Sequence, residues 1–214
     1  MLQQFGATFV RVNPFSSTDS GGKKHRLAIF ASGNGSNAQR LMEHFRDHPT
    51  IIIALVVCNK PGAGVLARAD AFGVPTLLIE RERFFRGDAY RPELEAAGIT
   101  FLVLAGFLWK VPAPLLEAYP GRIVNIHPAL LPAYGGKGMW GQHVHAAVLA
   151  AGESESGITI HIVDEHYDHG DQLFQARCPV LPGDTPESLA ARVHELEHRH
   201  FAEVVERAVR EREA

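Results

Sequence analysis

The chain has little of what would mark it as extracellular or membrane-bound. Two cysteines in 214 residues are too few for a disulfide framework. Cys58 and Cys178 each end an apolar stretch, IIIALVVC and LFQARC, where a reduced cysteine behaves as a small core residue. A reducing compartment, the cytoplasm, is expected. No apolar run approaches the about 20 residues of a membrane helix, and the best of them, IIIALVV, is strand-length. Residues 1–25 lack a sustained apolar region and a small-residue cleavage site, so no secretory signal is read there. Charge of one sign is also missing. The balance of 21 basic and 24 acidic side chains gives −3, which offers no general attraction to nucleic acid or an anionic membrane. Any polyanionic partner must be met locally.

What is present suits one globular unit. Hydrophobic residues make up 46% and charged residues 21%, near the average for soluble domains, and the length fits a single core. Residues 1–25, with Pro14 followed by FSSTDSGGKK, read as a flexible extension: a solvated tail, a natural addition or a misplaced start. Residues 26–214 are expected to form the domain. From Arg26 short β-branched runs alternate with helix-length segments, the pattern of βαβ units. Strands are expected at 26–31, 51–58, 75–79, 100–105, 122–126, 157–163 and 173–180, the last antiparallel to its predecessor. Helices are expected at 36–47, 63–72, 88–97, 112–118, 141–151 and 186–212. The last opens on DTPES, a cap residue followed by an early proline. The fold class is α/β: a Rossmann-like, open, mostly parallel sheet with helices on both faces.

The first strand runs into Ser32-Gly33-Asn34-Gly35-Ser36-Asn37, just before a helical pattern. Glycines let backbone approach an anion, and the free amides of a helix's first turn attract phosphate. Gly33-x-Gly35-x-x-Ala38 also fits a dinucleotide fingerprint, which needs an acidic residue ending the second strand. That strand ends in Cys58-Asn59-Lys60. A monophosphate site is the preferred reading over a dinucleotide site or a purely structural turn.

The fifth strand delivers RIVNIHPALLP, where period-two alternation turns Asn125 and His127 to the same side. They stand at the carboxyl end of a strand, where open α/β sheets bind ligands. An isolated histidine there would more often bond a loop carbonyl, but this one has company. GITIHIV carries His161, and the DEHYDHGD that follows supplies Asp164, Glu165, His166, Asp168, His169 and Asp171. A carboxylate supporting a histidine, beside an amide that donates to a developing oxyanion, is a coherent acid–base site. With no Ser, Cys or Lys placed as a nucleophile, direct transfer between two bound substrates is more natural than a covalent intermediate. The competing signal is His194-Glu195-Leu196-Glu197-His198, a formal H-E-x-x-H zinc motif. It lacks the longer signature of zinc proteases, and a solvated helix face with local ion pairs is preferred; no metal is expected.

Together these residues resemble the phosphoribosylglycinamide formyltransferase family, the folate-dependent glycinamide ribonucleotide transformylases of purine biosynthesis. ASGNGSN at 31–37, LAGF at 104–107, NIHPALLP at 125–132, HVHAAVL at 143–149, GITIHIVDEHYDHGD at 157–171 and ARVHELEH at 191–198 carry the resemblance. It implies formyl transfer from 10-formyltetrahydrofolate to the amine of glycinamide ribonucleotide, with Asn125, His127 and Asp168 as the catalytic trio. Gly35, Ser36 and Asn37 would hold the ribonucleotide's phosphate, and His194, Glu195, Leu196 and Glu197 would contact the same substrate. Leu108, Trp109, Lys110 and Val111 would bind folate, together with Asn125 and the loop Asp164, Glu165, His166, Tyr167 and Asp168. Asp168 would raise the His127 pKa, so that a protonated His127 joins Asn125 in stabilising the tetrahedral oxyanion. An arginine common in the family falls on Gly87, with Arg86 one position away as the substitute. LWKV stands where Met-Arg is common, and GGKGMWGQ replaces a shorter glycine turn.

Within the wider superfamily, a methionyl-tRNA formyltransferase would add a C-terminal RNA-binding domain and a formyltetrahydrofolate deformylase an N-terminal regulatory one. A chain of 214 residues is expected to have room for neither. A non-catalytic nucleotide-binding module would have no use for the trio. A weak homodimer is the one self-association the resemblance suggests.

Overall fold

Apolar strands β1 (His25–Ala31) and β2 (Ile51–Cys58) pair in parallel at the centre of a sheet that organises the chain. A computed structural model describes residues 25–212, so the extension expected over 1–25 lies outside the described residues except for His25, which opens β1. The remaining elements are α1 (Ser36–His44), α2 (Gly64–Ala71), β3 (Thr76–Leu78), α3 (Arg81–Arg86), α4 (Arg91–Ala96), β4 (Phe101–Leu104), α5 (Ala113–Ala118), β5 (Ile123–His127), α6 (Gln142–Ala150), β6 (Glu155–Ile162), β7 (Gln172–Pro179) and α7 (Pro186–Glu211).

The strand order is β3-β2-β1-β4-β5-β6-β7. The first five strands are mutually parallel, while β6 runs antiparallel to β5 and β7 antiparallel to β6. Alternation along the strands divides the core into two layers. Leu27 and Ile29 of β1 pack with Phe101, Val103 and residues of α1 and α7 on one face; Ala28 and Phe30 pack with Leu102, Leu104, Phe84, Leu94 and Leu115 on the other. Both faces are therefore covered, as the continuous apolar strands demand. Among the described residues no helix is long and apolar enough to cross a membrane. Both cysteines are free and buried.

Sequence and structure part over residues 80–97. The helix expected at 88–97 begins at Arg91, and a separate α3 precedes it. Its sequence RERFFR is too short to show a 3.6-residue period, and it is held by one anchor. Phe84 is buried against Phe107 at 5.7 Å and Trp109 at 5.6 Å. Emptying such a site costs about 3–5 kcal/mol, more than the propensity of a single helical turn.

The α7 start follows the sequence closely. Thr185 caps the helix, Pro186 occupies its first position, and Thr185 and Ser188 form a reciprocal capping box. Its apolar stripe of Leu189, Val193, Phe201 and Val205 is fully buried, and one charged residue, Glu197, is buried with it at 8% exposure. A carboxylate in a buried stripe needs polar partners, and these lead to the cleft.

Candidate active site

A cleft of about 910 Å³ lies at the carboxyl ends of the parallel strands, the place an open α/β sheet offers to ligands. At one end β1 turns through Gly33 and Gly35 into α1. Gly35 is left-handed at φ 79°, and an added Cβ would stand 2.6 Å from Val65 Cβ, so both backbone and space require glycine. No side chain caps α1, which leaves its first-turn amides available to an anion.

Glu197 finds its partners here. Asn37 Nδ2 donates to Glu197 Oε2 at 2.8 Å, His194 Nδ1 meets the same oxygen at 2.7 Å, and His194 Nε2 lies 2.8 Å from Ser36 Oγ. The H-E-x-x-H segment is therefore only partly the solvated face expected. His194 and Glu197 join α7 to the first turn of α1, and His194 and His198 pack ring to ring at 4.0 Å. The Glu197 carboxylate raises His194 above the ordinary histidine range, against the pull of burial. Glu195 is exposed and Leu196 packs on the core, so neither lines the cleft.

At the centre, β5 and β6 place polar side chains opposite one another. Asn125 pairs with His161 across the antiparallel register, and Asn125 Nδ2 reaches His161 Nε2 at 3.0 Å. His161 Nδ1 donates to the Ile162 carbonyl at 2.8 Å, so Nε2 offers its lone pair to the Asn125 amide. Asp168 lies between two histidines, with Oδ2 3.6 Å from His127 Nδ1 and Oδ1 3.6 Å from His161 Nε2. The Gly136 amide donates to Asp168 Oδ2 at 2.8 Å, and His127 Nε2 donates to the Tyr134 carbonyl at 2.8 Å. Tyr134 and Asp168 are both left-handed, at φ 57° and 58°, a backbone state tolerated where surrounding contacts fix it. Gly135 lets the two segments meet, since its Cβ would stand 3.2 Å from Asp168 Cβ and 2.6 Å from Leu131 Cδ2.

The expectation that Asp168 raises His127 is corrected in its net result. His127 is 4% exposed, and burial outweighs the opposing influence of Asp168 and the Tyr134 carbonyl. The ring lies below the ordinary histidine range and is neutral before substrate enters. Asp168 also resists burial. Its carboxyl lies below the usual range against the effect of burial, with the Gly136 amide donating to Oδ2.

The cleft is also lined by Leu108, Trp109, Lys110 and Val111 after β4 and by Asp164, His166, Tyr167 and Asp168 after β6. Lys110 Nζ lies 5.5 Å from the centre of the Tyr167 ring, a cation–π contact between the two segments. Glu165 is exposed and does not line the cleft. Arg86 does not either. Its side chain is 78% exposed and paired with Glu82 at 3.1 Å, because α3 turns that face to solvent. Sequence reasoning assigned no role in the site to His145 or to Lys137 and Trp140 of the GGKGMWGQ segment, all of which line the cleft. HVHAAVL gave the helix of His145, but which of its two histidines faces inward depends on how α6 packs.

Residues 25–205 match the formyl transferase family. The chain is 42% identical to the chloroplastic phosphoribosylglycinamide formyltransferase of Arabidopsis thaliana over 86% of its own length, and spans 65% of that relative. It is 36% identical to the phosphoribosylglycinamide formyltransferase of Bacillus subtilis over 84% of its length and 92% of the relative. Among solved structures, glycinamide ribonucleotide transformylase 1 from Symbiobacterium toebii superposes with a TM-score of 0.79 at 33% identity, covering 89% of this chain and 91% of that one.

Proposed function

The chain belongs to the formyl transferase family, and on that premise we propose that it transfers the formyl group of 10-formyltetrahydrofolate to the amine of glycinamide ribonucleotide. The observation that carries this reading is the joining of two sites in one cleft. An uncapped helix start suited to a phosphate opens into the same space as Asn125, His127 and Asp168. The described residues act as one domain in this reading, and two buried free thiols suit the cytoplasm.

Gly35, Ser36 and Asn37 hold the phosphate, with His194 and Glu197 beside them. Another part of the wall suits the folate, because Leu104, Val111, Phe107 and Trp109 give a pterin ring an apolar and aromatic surface. As the substrate amine attacks the formyl carbon, a C–N bond forms and the carbonyl electron pair moves to oxygen. Asn125 Nδ2 has one N–H directed to His161 and a second to offer that oxyanion. His127, with Nε2 held by Tyr134, takes the amine's proton at Nδ1. The resulting imidazolium faces the Asp168 carboxylate and adds to oxyanion stabilisation. When the bond from carbon to the folate nitrogen breaks, His127 returns the proton to that leaving nitrogen.

The test is an absorbance assay of the purified protein with glycinamide ribonucleotide and 10-formyltetrahydrofolate or its dideaza analogue, run beside His127→Ala. Formyl transfer that needs both substrates and is lost in the variant is expected. Formate release without the ribonucleotide would identify a deformylase, and no reaction would overturn the assignment.

A further inference from the structure

His145 on α6 has no role in the chemistry described so far, yet its placement is unusual for a structural residue. The ring is 4% exposed and forms part of the cleft wall, and its Nδ1 is buried with no hydrogen-bond partner. Its neighbour His143 is exposed and packs against the Trp140 ring at 4.8 Å. Only one of the two α6 histidines is thus committed to the cleft.

A neutral imidazole carries one N–H and one lone pair. Buried N–H groups without an acceptor are rarer than acceptors left short, so the partnerless Nδ1 takes the lone pair and Nε2 carries the proton. Burial keeps the ring below the ordinary histidine range, with Glu197 on α7 pulling it up and His127 on β5 pushing it down. His145 is therefore a neutral donor in the wall of the cleft that Glu197 and His127 also line, within electrostatic reach of both. Glu197 is itself bonded to Asn37 at the start of α1. A ribonucleotide with its phosphate at Ser36 and Asn37 and its amine near His127 passes this donor with its sugar and glycinamide portions.

We propose that His145 binds the ribonucleotide substrate directly, its Nε2–H donating to an uncharged oxygen of the sugar or glycinamide part. The proposal rests on the formyl-transfer reading and adds a contact between the phosphate subsite and the reacting centre. An oxygen acceptor suits this donor and leaves the amine's lone pair free for attack.

Three substitutions separate this role from packing. His145→Gln places an amide N–H near the Nε2 position, His145→Asn places it near Nδ1, and His145→Leu removes it. Titration calorimetry with glycinamide ribonucleotide alone should show about ten-fold weaker binding for the Leu and Asn variants, the loss expected for one neutral hydrogen bond. The Gln variant should stay within about three-fold of the wild type, and KM for the formyl donor should not move in any of them. Wild-type binding by His145→Leu would overturn the proposal, as would a Gln variant as weak as Leu. If circular dichroism shows that the Leu variant does not fold, the Gln and Asn pair makes the same comparison. A wild-type protein that does not bind the ribonucleotide overturns the formyl-transfer reading and this contact together. Binding by wild type that the variants leave unchanged overturns the contact alone.

Discussion

Asn125 and His161 stand opposite each other on β5 and β6, with Nδ2 and Nε2 3.0 Å apart. His161 is 2% exposed and its other ring nitrogen is bonded to the Ile162 carbonyl, so the ring cannot turn without breaking a buried hydrogen bond. The amide of Asn125 is thereby fixed as a donor toward the cleft. The antiparallel turn of β6 creates this pair, because it sets the two side chains in register.

Replacing Asn125 by Ala should lower kcat by about 10²–10³-fold, the usual effect of deleting an oxyanion donor, with ribonucleotide binding little changed. Steady-state kinetics beside calorimetry separates the two. Equal losses in kcat and binding would mean that Asn125 acts on the bound substrate and not on the oxyanion.

Asp168→Asn removes the charge that opposes the effect of burial on His127. The His127 pKa should fall further, and the acid limb of kcat/KM, where the ring protonates and can no longer accept the amine's proton, should move to lower pH. A fall in kcat of about 10²–10⁴-fold should accompany it, since the imidazolium loses its counter-charge. An unmoved limb would remove Asp168 from this role.

His194 is held above the ordinary histidine range by Glu197, and Nε2 lies beside Ser36 in the first turn of α1, the proposed phosphate site. Its positive charge is complete at low pH and lost as pH rises through the raised pKa. Ribonucleotide affinity should weaken over the same interval, measured above the phosphate's own second pKa of about 6. In His194→Leu the affinity should be about three- to ten-fold weaker near pH 6.5 and nearly flat above it. A wild-type affinity with no pH dependence in this window would exclude a charged His194 from phosphate binding.

Gly35→Ala introduces a side chain at φ 79° and against Val65. It should destabilise the fold by more than about 1 kcal/mol and raise KM for the ribonucleotide. Thermal denaturation and kinetics measure the two effects. An unchanged melting temperature would mean that the loop relaxes around the added carbon.

Asp184 receives Arg192 at 2.8 and 3.0 Å and the Leu181 amide at 2.7 Å before the start of α7. Arg192 is the main cause of its carboxyl lying far below the usual carboxylate range. A depressed carboxylate stabilises the fold above its unfolded pKa, and that stability is lost as pH falls through the folded value. Asp184→Asn should therefore melt at lower temperature than wild type near neutral pH. The difference should narrow as pH falls below about 4, the ordinary aspartate value. A difference constant with pH would point to packing alone.

Much of the molecule could be read from residue order. Apolar runs bounded by glycine and proline gave seven strands, and DTPES marked the start of α7. The glycine loop before α1 and the alternation that turns Asn125 and His127 one way were also legible, because local backbone chemistry determines them. Arg86 and Glu165 misled because their place in the chain does not say which face of a short helix or exposed loop they occupy. The net titration of His127 was also out of reach, since it is a contest between burial and charge that distance and packing decide.

The sequence by itself determined the alternating α/β pattern, the glycine turn before α1 and the identity of the Asn, His and Asp side chains, all consequences of neighbours within a few residues. Only the tertiary structure decided that Glu197 would be bonded to Asn37, that His161 would hold Asn125, and that His145 instead of His143 would line the cleft. Each of those joins elements distant in the chain. Their geometry follows from packing the whole sheet and its helices, for which no local sequence signal exists.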